Sequence, residues 1–431
     1  MIVIAAVRAT LALIAVLAIG CEPGAGEVAR PASAPLPTTS ARDEWIGAAP
    51  VEPAPAPAPH PSTDSGAGQD FAEEVKLLHR VAACGSDGPL PPHLDAAVIR
   101  AHCDEIGPKI ESYKRRYVAV ARPFLAALAP AGLPDKVVYP FGGGDLVTAL
   151  TTYPDAREIT TLSLELVGDP RRVRTLGRAS LEASLRRLRG ELGELLFVDD
   201  YSRSETLKKT QRGDLPGELA LFLVGLSIHG YEPVSLRYFT LRPDGSIHYL
   251  DEREIQGADH VLARSRKATW IPPDFAESFA NAEIGFRRSG APDDPPRLHR
   301  HLAQNLADEA LQKAPAVLRH LGDKGPVAAM TKAASYLLWQ DGFSSVREYL
   351  LTHAAFMISD STGIPPSFAR SAGFTQETYG VFRGSLLRGS PAHNRDFRKL
   401  WGSQPRRKLP FRYGYLSQRE AHLVVMKRPP R

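Results

Sequence analysis

The stretch "KVVYPFGGGDLVTALTTYPDAREITTLSLELVGD", Lys136 to Asp169, gathers residue types that could hold a phosphate and a ribose. A short apolar run empties into Gly142, Gly143 and Gly144, then Asp145, and a second apolar run ends beside Glu165. A dinucleotide fingerprint needs G-x-G-x-x-G after a strand, because glycines let the backbone approach a pyrophosphate. It also needs an acid about 20 residues on for the ribose. Gly142 and Gly144 make the first pair and Glu165 has the acid's separation, but Val147 stands where the third glycine belongs. The competing reading is a glycine-bent corner, with Asp145 capping the helix "LVTALTTY" by accepting backbone N–H bonds.

Other groups invite chemistry. In "MISDSTGIPPSF", Asp360, Ser361 and Thr362 precede a glycine and two prolines, so three oxygen-bearing side chains sit on a stiff turn suited to ligand contact or to its own hydrogen bonds. "VGLSIHG" approaches a nucleophile elbow, but His229 occupies the second-glycine position after Ser227, so packing and a helix end are expected instead. His299 and His301 in "LHRHL" fall in a helical pattern and would point apart, so no metal is expected. Asp199 and Asp200 in "LLFVDDY" could serve acid–base chemistry, although a solvated turn accounts for them.

The elements that must position these groups begin near Phe71. "FAEEVKLLHRVAAC", "LDAAVIRAHCDEI" and "IESYKRRYVAVARPFLAALAP" have helical spacing, and so do "LGRASLEASLRRLRGELGELLFV" and "LPGELALFLVGLSIHGY". "VSLRYFTLRPDGSIHYL" is expected to form a hairpin around Arg-Pro-Asp-Gly. "LHRHLAQNLADEALQKAPAVLRHL", "VAAMTKAASYLLWQ" and "VREYLLTHAAFMI" also read as helical. The expected fold is α/β: a single mixed domain over residues 71–431 with a Rossmann-like strand, glycine loop and helix.

The amino-terminal section reads differently. An apolar run from Leu11 to Gly20 follows Arg8 and suits a secretory signal; an uncleaved apolar anchor is the alternative. "LAIGC" resembles the lipobox of bacterial lipoproteins, with Ala18, Ile19 and Gly20 before Cys21, the usual leucine lying one place early at Leu17. The resemblance implies a signal peptide at 1–20, lipid on Cys21 and attachment to an envelope membrane. Residues 21–70 are rich in Pro, Ala, Ser and Gly and form no core, so a disordered linker is expected. Fully extended, it would reach roughly 150 Å at ~3.1 Å per residue. In an oxidising envelope Cys84 and Cys103 can pair, and no Cys-x-x-Cys motif is present.

Compartment and charge bound the partners. An exported domain meets essentially no S-adenosylmethionine, NAD or ATP, so no cofactor is expected. From Arg383 to Arg431 there are 13 Lys/Arg against two acids, while the whole chain carries +5. That section could meet an acidic envelope component, the alternative being a solvated basic surface. Nucleic acid is not expected, since the aromatic interleaving of a base-stacking platform is missing. The oligomeric state stays open.

The glycine stretch also resembles a class I methyltransferase, except that Tyr139, Pro140 and Phe141 replace the acid before the glycines. A broader resemblance spans Val137 to Tyr415. "YPFGGGD", "LELVG", "KAASYLL", "DSTGIP", "ETYGVF" and "LPFRYGY" look like ordered blocks of a family of uncharacterised bacterial proteins. It implies one continuous domain and marks Asp145, Glu165, Lys332, Tyr336, Asp360, Gly363 and Tyr379 as site positions. Gly144 stands where that family has proline, and Ser361 where it has a second aspartate, which weakens a paired-carboxylate mechanism. The functional expectation is an envelope lipoprotein that binds a small molecule or envelope component. The rivals are a hydrolase or transferase using Asp145, Glu165 and Asp360, and a methyltransferase-like scaffold without its cofactor.

Overall fold

The two runs flanking the glycines pair as parallel strands, β1 (Lys136–Pro140) and β2 (Glu158–Ser163), in the register Val138 to Thr160. The computed structural model of the chain describes residues 68–85, 88–198, 214–258, 277–384, 391–414 and 420–429. The expected lipid site at Cys21, the linker before residue 68, and Asp199 and Asp200 lie outside them. The described strands continue as β3 (Tyr231–Leu241), β4 (Ile247–Tyr249), β5 (Ala282–Arg288), β6 (Arg297–Ala303), β7 (Val327–Thr331), β8 (Ala354–Ser359), β9 (Thr375–Gly380) and β10 (His422–Lys427).

They form one ten-stranded sheet in the order β4-β3-β5-β6-β2-β1-β7-β8-β10-β9. The central five, β6 to β8, are mutually parallel. β5, β3 and β4 add antiparallel strands at one side, and antiparallel β10 separates β8 from β9 at the other. The β3–β4 hairpin turns on Arg-Pro-Asp-Gly as expected, with Gly245 at φ +94° and Arg242 N–H bonded to Ser246 O.

Helices cover both faces. One side carries α1 (Ala72–Ala83), α2 (Ala96–Tyr113), α3 (Ala119–Leu128), α4 (Leu146–Thr152), α5 (Arg178–Leu192) and α6 (Gly217–Ile228), packed with Tyr139, Met330, Phe356, Ile358 and Val425. After α7 (Glu252–Ala258), the other side carries α8 (Asp308–Lys313), α9 (Ala316–Gly322), α10 (Ser344–His353), α11 (Pro366–Ser371) and α12 (Pro391–Gly402), packed with Val138, Ala329, Met357, Val424 and Met426. Alternate residues of each central strand therefore enter opposite cores, the mark of a sheet buried on both faces.

Three helical expectations are corrected. "RLHRHLA" is β6, "VAAMT" is β7 and "AAFMIS" is β8. Strands apolar on both faces show no alternation, and their small residues imitate helical spacing. The expected long helix through "YKRRYVAVA" is continuous, but a π turn at Lys114–Val118 joins α2 to α3. Cys84, which ends α1 at φ +52°, is bonded to Cys103 on α2 across 5.7 Å between Cα atoms. Closing about 20 residues this way stabilises by ~3 kcal/mol in the chain-entropy account.

Candidate functional site at the carboxyl edge of the sheet

In an open parallel sheet, ligands bind beyond the carboxyl ends of the strands, where connections leave in opposite directions. Here that point lies between β1 and β7. Three site positions leave adjacent strand ends: Asp145 after the glycines of β1, Lys332 after β7 and Asp360 after β8. Two of them meet directly. Lys332 Nζ lies 2.8 Å from Asp145 Oδ2 and 2.9 Å from Thr148 Oγ1, with no solvent exposure. Asp145 also accepts from Tyr139 OH at 3.1 Å and, as the cap of α4, from Thr148 N–H at 3.2 Å. Burial pushes the Tyr139 phenol well above its usual pKa, with Asp145, Tyr413 and Asp360 adding to the effect.

Asp360 is held from three sides. Its carboxylate accepts from Thr362 N–H at 2.7 Å, from the Thr362 hydroxyl, and from Ala333 N–H at 3.2 Å. Ala333 follows Lys332 at φ +56°, a left-handed conformation that costs an alanine about 1 kcal/mol or more. The bond to Asp360 fastens it there. Gly414, at φ +59°, completes the enclosure, because a Cβ would come within 2.7 Å of the Asp360 carboxyl carbon. Both aspartates are thus engaged as hydrogen-bond acceptors within the fold.

The glycines answer to packing. Gly143 is at φ +51° and Phe141 at φ +59°, so the chain turns sharply off β1. A Cβ on Gly142 would sit 2.8 Å from the Tyr139 ring, and one on Gly144 would sit 2.5 Å from Leu221 and 2.9 Å from Glu218 of α6. The close approach that a pyrophosphate would need is taken by a helix. Leu221 and Glu218 of α6 pack on the loop, and the Lys332–Asp145 pair lies where the strand order reverses.

Glu165 follows the end of β2 and lies close enough to Glu218 for the two carboxyls to interact. The Glu218 carboxyl is buried, and neither oxygen has a hydrogen-bond partner among the described residues. Burial raises its pKa well above the carboxylate range, with Glu165 and Glu191 pushing the same way. Sequence reasoning missed Glu218 because it sits inside an apolar helix, "GELALFLVGLSI", with no motif around it.

A second polar group occupies the opposite side of the same edge. Ser361 Oγ is 2.7 Å from His422 Nε2 on β10, and Ser361 O accepts from His393 Nε2 of α12 at 2.7 Å. Trp339 Nε1–H donates to Gly363 O at 2.9 Å. A Cβ on Gly363 would collide with the Ser359 and Thr331 hydroxyls, which bond each other at 2.8 Å. Tyr336 is half-buried and packs edge-on against Trp339. Tyr379 stands apart on β9, donating to Glu377 at 2.9 Å and packed against Phe124. His422 was not legible as a site residue, being 61 positions from its partner and outside every sequence block.

The remaining candidates resolve as packing. His299 and His301 share one face of β6, where both ring nitrogens approach Thr161 Oγ1, at 3.0 and 2.9 Å, beneath Phe222. They share a side as strand residues, contrary to the helical expectation, yet among the described residues no group of three or more such side chains could hold a metal ion. Ser227 donates to Ala83 O at 3.1 Å, and His229 is tied to Val147 O at 3.0 Å. An open cleft of about 410 Å³ lies elsewhere, beyond the end of β6, lined by Gln304, Lys313 and Arg319 among others. No known protein family, no curated protein and no solved structure matches the chain.

Proposed function

We propose that the chain is a lipid-anchored envelope protein that binds an anionic envelope component through its basic carboxyl-terminal section. The observation that carries this reading is the exposure of Arg395, Arg398 and Lys399 on α12 and of Arg406, Lys408 and Arg412 in the segment after it. Asp396 is the sole acid among residues 391–414, and its carboxylate accepts from Ser367 at 2.8 Å. A surface this rich in exposed basic side chains suits phosphorylated headgroups.

The scaffold reading complements it. The strand order β6-β2-β1-β7-β8 matches the 3-2-1-4-5 core of doubly wound nucleotide folds. The antiparallel β10 between β8 and β9 is an arrangement also found in class I methyltransferase sheets. This is fold-level analogy and carries no activity. It supports a methyltransferase-like scaffold whose cofactor crevice is filled by Lys332, Asp145 and α6.

The test uses the full chain with Cys21→Ser, so that lipid does not contribute. We expect it to sediment with vesicles containing anionic phosphatidylglycerol at 50 mM salt, to be released at 500 mM, and to ignore pure phosphatidylcholine. Arg395→Glu, Arg398→Glu and Lys399→Glu together should weaken binding by about a hundredfold or more, at ~1 kcal/mol per basic side chain. Equal binding to both vesicles, or none to either, sinks the reading. Thermal unfolding with S-adenosylmethionine tests the scaffold: a ligand at 100 times its Kd adds about 2.7 kcal/mol, so an upward shift would show the crevice still opens to the cofactor.

A further inference from the structure

The sequence "SDSTG" has the spacing of a nucleophile elbow, small-x-Ser-x-small, which "VGLSIHG" lacks. Ser359 ends β8, Ser361 sits in the turn, and α11 begins at Pro366. An elbow needs small residues two before and two after the nucleophile because the tight turn brings those positions together. Ser359 and Gly363 meet that demand, since any side chain on Gly363 would strike the Ser359 hydroxyl. Gly363 is at once the residue that lets the turn close and the one whose backbone carbonyl fixes Trp339.

The histidine that faces this serine is in the correct tautomer to act as a base. Ser361 N–H, which can only donate, points at His422 Nε2 at 3.1 Å. Nε2 therefore carries a lone pair, and the ring proton is on Nδ1, 3.5 Å from the Glu420 carbonyl. Ser361 O–H, 2.7 Å from the same Nε2, donates to it. Burial keeps the imidazole neutral by lowering its pKa, and the nearby Asp360 charge opposes that shift and would stabilise an imidazolium once formed. His393 reaches the Ser361 carbonyl from α12, and Phe382 and Trp401 pack edge-on against the His422 ring.

We infer that Ser361 and His422 form a nucleophile–base dyad for acyl transfer, acting on a carboxylic ester. Ser361 Oγ forms a bond to the acyl carbon as its proton passes to His422 Nε2. The ester C–O bond then breaks, and the alcohol leaves with that proton. Water, deprotonated by the same nitrogen, releases the acid and restores the serine. The Glu420 backbone carbonyl stands where a triad has its acid, so this is a dyad oriented by backbone. The step uses neither aspartate as a base, and it is independent of the basic surface.

Both side chains are only 1% exposed, so reaction of the folded chain is the deciding measurement. The full chain, native by circular dichroism, would be treated with a fluorophosphonate and analysed by intact mass and peptide mapping. We expect one adduct, on Ser361, with Ser361→Ala unlabelled and labelling of His422→Gln slowed at least 100-fold. An unreactive native chain overturns the proposal, as does an adduct elsewhere that survives Ser361→Ala, or equal labelling in folded His422→Gln. Should His422→Gln fail to fold, Ser361→Cys decides. It should trap a stable acyl adduct from p-nitrophenyl acetate, and absence of that adduct in the folded variant refutes the dyad. Vesicle binding by Ser361→Ala should be unchanged, which separates failure here from failure of the envelope-binding reading.

Discussion

Lys332 is a lysine with no solvent exposure, and its ammonium pairs with the Asp145 carboxylate. Removing either partner leaves the other ion buried without its match, whereas removing both does not. Lys332→Met should therefore lower unfolding free energy by roughly 3–5 kcal/mol, because Asp145 loses its cationic partner and keeps Tyr139 and the α4 cap as its donors among the described residues. Adding Asp145→Leu should recover a large part of that loss, although the α4 cap then costs about 1 kcal/mol. Urea denaturation of the two single variants and the double one gives the coupling. A Lys332→Met loss below 1 kcal/mol would mean that water reaches the pair and the crevice is not closed. At this scale the sequence was readable only halfway. Asp145, Lys332 and Asp360 stood out as residues, but that two of them neutralise each other required β1 and β7 to be neighbours, which no spacing along the chain states.

A chain of charges runs across four strands on the same sheet. Glu158 of β2 meets Arg300 of β6 at 2.7 Å, Arg300 meets Glu283 of β5 at 2.8 Å, and Glu283 meets Arg237 of β3 at 2.5 Å. Lys324 closes the other end on Glu158, and Tyr249 of β4 donates to Glu283 at 2.8 Å. Burial alone would raise the Glu158 pKa, but Lys324 and then Arg300 outweigh it and hold it at about 2. Burial pulls Lys324's own pKa down despite the same contact, partly because Arg300 and Lys136 also face it. The carboxylate is thus the member the network secures. A depressed carboxyl stabilises above its unfolded pKa and loses that contribution as pH falls through the folded value. From about 4.5 to about 2 the loss is roughly 3 kcal/mol. Urea midpoints measured from pH 6 down to pH 2 should fall across that window, and Glu158→Gln should flatten the fall; parallel slopes for both chains would exclude the network as its cause. The elements carrying this network also show where sequence reading stops. The β3–β4 hairpin was legible because its turn chemistry is local. β6, β7 and β8 read as helices in the sequence because a strand buried on both faces loses the alternation that would mark it.

Across the whole molecule, an amino-terminal lipid and a basic surface on the folded domain would be two distinct attachments. Diacylation at Cys21 would hold the chain by apolar burial, at roughly 0.8 kcal/mol per buried CH₂, which salt does not weaken. The basic surface of α12 would hold it by charge, which is screened beyond about 10 Å at 0.1 M salt. The two attachments are therefore separable by salt. In a fractionated bacterial host, the acylated chain should stay with membranes at any ionic strength and partition into detergent. Cys21→Ser should remain partly membrane-bound at low salt and leave at 0.5 M. Adding the three charge reversals on α12 should release it at both. A Cys21→Ser chain that resists high salt would point to the apolar run from Leu11 to Gly20 as an uncleaved anchor. The domain would then be tethered by a peptide rather than a lipid. Under the proposed reading, a segment of nearly 50 residues would let the domain turn its basic face to a membrane with either tether, so orientation would follow from charge rather than from the point of attachment.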